Sequence, residues 1–283
     1  MEILNVVIVL IGVAGTLING LLLLIFLLNP LNTFRSNSTY FIKSLTTADF
    51  LTSLVTILWA VSPFDLFRRI CSCILWISIQ ASFYTVFTMS IERYIAVRYP
   101  FKKNLIITKK RTFVCIFVTW FFSAVLSGLS EIESIRHQVQ FSLYSLFDLV
   151  IIGVAAVYIK IIVTLKKASK ETNRRRSVLA GMSTEDSRLL NVVTIVVAIL
   201  FFAAMPYVLV SQIYMGTLTF CPNCPISKNV VKFGRLYFAF ELLNFVVNPI
   251  VYAIRLPAYR KSLTALFGYR PRITDCSVES ADT

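Results

Sequence analysis

Seven apolar stretches, each long enough to cross a bilayer as a helix, leave this 283-residue chain room for little else. A hydrocarbon core of about 30 Å is spanned by about 20 apolar residues rising 1.5 Å each. The stretches cover roughly 4–29, 40–62, 71–97, 112–130, 139–165, 189–215 and 233–254, with polar or basic punctuation between them. Asp148 and Glu241 put charge inside the fifth and seventh. With 57% hydrophobic residues, the expected fold is an all-α membrane protein. It comprises a seven-transmembrane helix bundle over 1–254, a short amphipathic cytoplasmic helix over 255–268 and a flexible cytoplasmic tail over 269–283. No soluble domain fits the length. The first stretch lacks a basic leader and reads as a span rather than a cleavable signal.

Orientation follows from where the cations fall. Only Arg68, Arg69, Arg136, Lys228, Lys232 and Arg235 lie on the side of the loops after stretches 2, 4 and 6; the rest of the 28 Lys and Arg residues lie on the other. That side is therefore cytoplasmic, with the N-terminus outside, as in a multi-pass protein of the plasma membrane. The net charge of +14 is then a topology signal and not a nucleic-acid signal. Lys102-Lys103, Lys109-Lys110-Arg111 and Arg174-Arg175-Arg176 would lie against anionic membrane lipid. The one N-glycosylation sequon, Asn37-Ser38-Thr39, falls in the first cytoplasmic loop and is expected to stay unmodified.

Two places stand out within this apolar background. Glu92-Arg93-Tyr94 ends the third stretch at its cytoplasmic edge, where desolvating a charge costs several kcal/mol and so marks a working residue. Asn248-Pro249-Ile250-Val251-Tyr252 ends the seventh. A proline inside a helix frees a backbone carbonyl, and the Asn248 amide is the expected donor to it.

On these motifs and the seven spans, the chain resembles the rhodopsin-like (class A) G-protein-coupled receptors over nearly its whole length. Asn19 in the first stretch, Asp49 in Leu45-Thr46-Thr47-Ala48-Asp49, Trp120 in the fourth and Met205-Pro206-Tyr207 in the sixth match in order. Tyr158 and Tyr252 match two tyrosines that the family moves inward on activation. The resemblance implies a non-enzymatic receptor that passes an extracellular ligand's signal to a heterotrimeric G protein. Its implied cofactor list is empty apart from Na+ as an allosteric ion.

That ion's implied site is Asp49, Ser82, Asn244 and Asn248, where hydroxyl and amide oxygens complete a hard shell around a carboxylate. Without an ion, Asp49 is neutral in a hydrogen-bond network; both states are open. At the inner end Arg93 pairs with Glu92 and with Asp186 at the start of the sixth stretch, forming a lock between helices. Asp186 as a solvated helix-start residue is the alternative. Phe101 after Pro100 matches a position that packs into the G protein. Cys276 in the tail is either lipidated or unmodified.

The outer half departs from the pattern. Arg68 stands where the family's bridging cysteine is expected, and the connector near 130–136 has no cysteine, so that disulfide is missing. Cys71 and Cys73 have no evident partner. Cys221 and Cys224 close a small disulfide ring, with half a zinc site as the lesser reading. The Cys221 loop is similar to adenosine receptors; the short connector and the fifth stretch without a central proline are similar to melanocortin receptors. Leu75 replaces the aspartate of amine receptors, Ser211 and Leu242 replace the adenosine contacts, and the seventh stretch has no lysine for retinal. Ala203-Ala204 stand where Cys-Trp is usual, leaving Phe201 or Phe202 as substitutes. Glu241 with Trp76, Asp148, Tyr207 and Ser211 forms the expected ligand pocket. A buried carboxylate there favours a cationic ligand or sits protonated among Asn244 and Asn248.

A transporter or channel needs a continuous polar lining, which these stretches do not offer. A seven-helix membrane hydrolase needs several intramembrane His and Asp residues, and His137 is the sole histidine, at an outer helix start.

Overall fold

The structure, a computed structural model, describes residues 2–34, 36–170 and 184–266, with the side chains of 2, 167–170 and 184–186 outside that description. Its helices are α1 (Glu2–Leu28), α2 (Asn37–Val61), α3 (Asp65–Arg98), α4 (Lys103–Ile106, entered through a 3-10 turn at Pro100–Lys102), α5 (Lys109–Leu129), α6 (Arg136–Lys170), α7 (Thr184–Phe220), α8 (Lys228–Arg255) and α9 (Pro257–Leu266). Seven of them are long and apolar enough to cross a membrane: α1, α2, α3, α5, α6, α7 and α8.

Several helices outrun their apolar stretch, because polar residues continue a helix into the headgroup zone. α3 starts at Asp65, six residues before the stretch that predicts it, once the chain has passed Pro63. Pro63 holds Ser62 extended (ψ 128°), which ends α2, and Asp65 suits the positive end of the new helix. α1 stops where Asn29 takes φ 38° and donates its N–H to Ile25 O at 2.9 Å, ahead of Pro30. α9 opens on Pro257, whose fixed φ and missing N–H suit a first helical position. Its apolar side, Leu263 and Leu266, packs on the core, and Tyr259 and Ser262 are buried. Phe267 and the tail, including Cys276, lie outside the described residues.

α3 is the axle of the bundle, packing against α2, α5, α6 and α7, and its apolar stretch is the most buried of the seven. α5 sits at the periphery with Phe113, Phe117, Val118 and Phe121 turned outward to lipid. α1 approaches α2 closely because Gly15 has no side chain: a Cβ there would come 2.3 Å from Ser53 Oγ. Two polar side-chain bonds tie helices distant in sequence. Trp120 Nε1 on α5 donates to Ser44 Oγ on α2 at 3.0 Å, and Gln80 Nε2 on α3 donates to Ser127 Oγ on α5 at 2.7 Å.

Pro249 leaves Phe245 O without its helical N–H. The donor that reaches it is Asn19 Nδ2 from α1, at 2.9 Å, and not the adjacent Asn248. Asn248 is turned instead toward α2, so the proline motif and Asn19 together join α8 to α1. At the outer ends of α3 and α5, where the missing disulfide would lie, Arg69 Nη2 meets Glu133 Oε1 at 2.8 Å on the surface. That bond and the charges of Arg69 and then Arg136 hold the Glu133 carboxyl below its usual range. An exposed pair of this kind contributes far less than a covalent tether. Cys71 and Cys73 are free thiols, and Cys221 is bonded to Cys224.

Candidate functional site

Three polar or aromatic levels lie along α3, spread over roughly 25 Å at 1.5 Å per residue. The outermost is a cavity of about 490 Å³ bounded by the outer ends of α1, α2, α3, α7 and α8 and by Tyr144 of α6. Trp76, Tyr207 and Ser211 line it; Glu241 and Asp148 do not. Its aromatic wall runs from α3 to α8: Trp76 packs edge-on to Tyr144 (5.6 Å between ring centres), Tyr144 to Tyr207 (6.1 Å) and Tyr207 tilted on Phe238 (5.6 Å). The Tyr144 and Tyr207 hydroxyls stand 3.4 Å apart. Glu241 is buried, and its Oε2 has no hydrogen-bond partner among the described residues. Asp148 is half-buried on α6, and His137 is exposed and away from the cavity lining.

Sequence reasoning missed Tyr144, Phe238, Arg68 and Arg235, all of which line the cavity. Tyr144 carried a readable signal, an apolar ring with a polar tip inside a span. Neither Phe201 nor Phe202 replaces the family's aromatic toggle: they are 40% and 76% exposed and face outward. The aromatic contact at mid-depth is made by Phe83 of α3 and Phe147 of α6, 4.6 Å between ring centres.

The middle level is built on Asp49 of α2, which has no measurable exposure. Ser82 Oγ donates to its Oδ1 and Asn248 Nδ2 to its Oδ2, each at 2.8 Å. Asn244 is equally buried, yet among the described residues neither its Oδ1 nor its Nδ2 has a partner, and Asn248 Oδ1 has none either. The carboxylate accepts one hydrogen bond on each oxygen but has no cation beside it among the described residues, and the amide oxygens of Asn244 and Asn248 on α8 are left without donors. A small hard cation matches that donor set.

The innermost level surrounds Arg93, 1% exposed although it is a full cation. It is ion-paired with Glu92, and its Nη2 donates to Ser38 Oγ of α2 at 2.6 Å. The Ser38 hydroxyl in turn donates to Glu92 Oε1 at 2.8 Å, and Lys103 Nζ stands 3.7 Å from the same oxygen. Sequence reasoning did not single out Ser38, and it set Lys103 against anionic lipid, whereas the structure places the Lys103 ammonium at this buried carboxylate. Ser38 was hidden inside the sequon, and its neighbour Asn37 donates Nδ2 to Ile107 O at 2.6 Å. The Asp186 side chain lies outside the described residues, so the expected lock to α7 has no geometry here. Tyr252 is buried, its hydroxyl without a hydrogen-bond partner among the described residues, and Tyr158 is half-buried. Phe101 in the turn after α3 is 72% exposed, and Tyr94 is half-buried. Pro206 and Pro249 lie inside α7 and α8.

Comparison with known proteins adds to this geometry. A family model described as 7 transmembrane receptor (rhodopsin family) matches residues 18–140 and 130–252. Human growth hormone secretagogue receptor type 1 is 21% identical over an alignment covering 92% of this chain and 78% of its own. Squid rhodopsin superposes with a TM-score of 0.75 at 18% identity, covering 94% of this chain and 84% of its own. At that identity the structural likeness speaks for the fold alone.

Proposed function

Because the chain belongs to the rhodopsin family of seven-transmembrane receptors, we propose that a ligand in the outer cavity acts through α3 and α7 on the buried Arg93 cluster, and through it on a heterotrimeric G protein. Membership makes this a multi-pass membrane protein and a G-protein-coupled receptor, and it does not favour a transporter or channel. The observation that carries the route is the placement of Trp76, Ser82 and Arg93 on one helix that packs against α7. Arg93 is closed off from solvent as it stands, held by Glu92 and Ser38. Parting the inner ends of α3 and α7 would bare it and an apolar groove for a G-protein helix, with exposed Phe101 as a second contact.

Asp49, Ser82, Asn244 and Asn248 would hold a sodium ion, on the strength of their unpartnered buried oxygens. The ion would supply the positive charge this carboxylate lacks. Ser82 of α3 and Asn248 of α8 already draw those helices onto α2 through Asp49, so the cluster favours the compact, inactive arrangement. Orientation rests on the cation count alone: N-terminus outside, C-terminus and basic loops at the cytoplasmic lipid surface. Placement near adenosine and melanocortin receptors rests on the short connector and the Cys221–Cys224 ring; the receptor found by comparison is of neither kind. A non-enzymatic role accords with the family.

The deciding experiment is a ligand screen that reads cAMP, calcium and G-protein dissociation together in cells carrying the full chain. A hit should lose its response on Arg93→Ala at equal surface expression. Electrogenic flux through purified protein in vesicles, with no G-protein response, would sink the reading.

A further inference from the structure

The outer cavity is lined by two arginines, Arg68 at the start of α3 and Arg235 near the start of α8, and by no aspartate or glutamate. The carboxylate that suggested a cationic ligand, Glu241, lies beyond the lining. We infer that this cavity takes an amphiphilic anion, its carboxylate or phosphate head held by Arg68 and Arg235 and its apolar body seated among Trp59, Leu75, Trp76 and Phe238. The inference rests on the reading of the cavity as the ligand site.

Four observations carry it. First, Arg235 makes no ion pair or hydrogen bond among the described residues, so its fork of donors is available to an incoming anion. Arg68 spends one donor, Nη2, on Ser62 O at 2.7 Å and keeps the others. Second, the acids around the mouth do not cancel these cations. Glu133 is engaged with Arg69, and Lys228 and Lys232 add positive charge on α8 against Asp65 and Glu131. Such a field draws anions toward the opening and repels amines. Third, apart from the arginines the walls are mainly aromatic and aliphatic, with the Asn5 amide and hydroxyls such as Ser72, Tyr207 and Ser211 as uncharged polar groups, which suits an apolar body and not a second charge. Fourth, about 490 Å³ is the size of a drug-like molecule's site, which sets the ligand as small and not a folded partner.

The test uses the full chain in nanodiscs of zwitterionic lipid and follows quenching of tryptophan fluorescence, since Trp59 and Trp76 line the cavity. The probes share one naphthylbutyl body and differ in the head: carboxylate, phosphate, neutral amide and primary amine. The carboxylate or the phosphate should bind at least roughly tenfold tighter than the amide and the amine, and the ranking of those two identifies the natural head group. Arg235→Gln should lower affinity for the preferred anion roughly tenfold and leave the amide unchanged, and Arg68→Gln should do the same. Arg235→Gln alone suffices if loss of the Ser62 bond unfolds the Arg68 variant. Equal or tighter binding of the amine, or an unchanged anion affinity in Arg235→Gln, would overturn the inference. Ser211→Phe, which fills the cavity, separates the two levels. If it abolishes binding while the head groups rank equally, the cavity is the site and only its charge preference fails. If it leaves all binding intact, the cavity is not the site and both readings fall.

Discussion

Asp49 and Asn244 make the sharpest statement available at the level of single residues. A buried amide with neither end bonded costs stability, so a leucine of similar volume at 244 should be neutral or stabilising unless something absent from the chain uses that amide. An ion at Asp49 would use it. Purified protein should therefore unfold at higher temperature in sodium chloride than in choline chloride of equal strength. At an ion concentration near 100 times its Kd the gain is about 2.7 kcal/mol, or roughly 5–10 °C for a chain of this size. Asp49→Ala and Asn244→Leu should both remove the difference, and in choline Asn244→Leu should melt no lower than the parent. A sodium shift that survives Asn244→Leu would take Asn244 out of the site; no shift in the parent would remove the site altogether. The family resemblance named the four residues, and the structure bonds Ser82 and Asn248 to Asp49 while Asn244 bonds none of them. What could not be read was which oxygens remain unpartnered, since that depends on side-chain rotation.

Between elements, the coupling of Asn19 to Pro249 shows how a local break is mended from a distance. Proline at 249 withholds the N–H that Phe245 O needs, and Asn19 Nδ2 of α1 supplies the replacement at 2.9 Å while also donating to its own Gly15 O at 3.0 Å. Asn19→Leu should leave the buried Phe245 O unsatisfied and cost about 1–3 kcal/mol. Adding Pro249→Ala restores a helical N–H to that carbonyl, so the double variant should recover most of the loss. A double-mutant cycle of thermal unfolding measures the coupling; strictly additive effects would show that the two positions act independently. Sequence reasoning located the freed carbonyl but assigned its donor to the neighbour, Asn248. The mistake is instructive: adjacency along a helix places Asn248 about 100° from Pro249's own face, where it meets α2, whereas Asn19 arrives from another helix altogether. Spans were readable because hydropathy sets them. Their ends were not, since α3, α6 and α7 run on through charged turns that no apolar count registers.

At the scale of the whole molecule, the proposed mechanism makes signalling a balance between closed and open bundles, and the Ser38–Glu92–Arg93 cluster would belong to the closed side of it. The seven spans and the inner motifs were visible in the sequence because membrane insertion and buried charge impose them on residue type. The outer cavity was visible only in part, since Trp76, Tyr207 and Ser211 carry polar tips, while Arg68 looked like an ordinary loop cation until α3 proved to begin ahead of it, and Arg235, at the outer end of the seventh stretch, counted only toward topology. Ser38 was hidden for a similar reason: its partners are on α3, 54 and 55 residues away. Its hydroxyl accepts from Arg93 and donates to Glu92, so it fixes both charges at once. Ser38→Ala deletes two charge-assisted bonds of the closed state and should weaken that state by about 1–3 kcal/mol. By population arithmetic that raises the open fraction roughly 5-fold to 150-fold when the open form is rare. The measurement is guanine-nucleotide exchange by purified G protein on vesicles carrying the receptor, with no ligand added. Ser38→Ala should raise this basal rate several-fold, and Ser38→Thr, which keeps the hydroxyl, should not. A basal rate unchanged in Ser38→Ala at equal receptor density would mean that these bonds persist in the open bundle, and the closed state would have to be held elsewhere, along the α3–α7 contact.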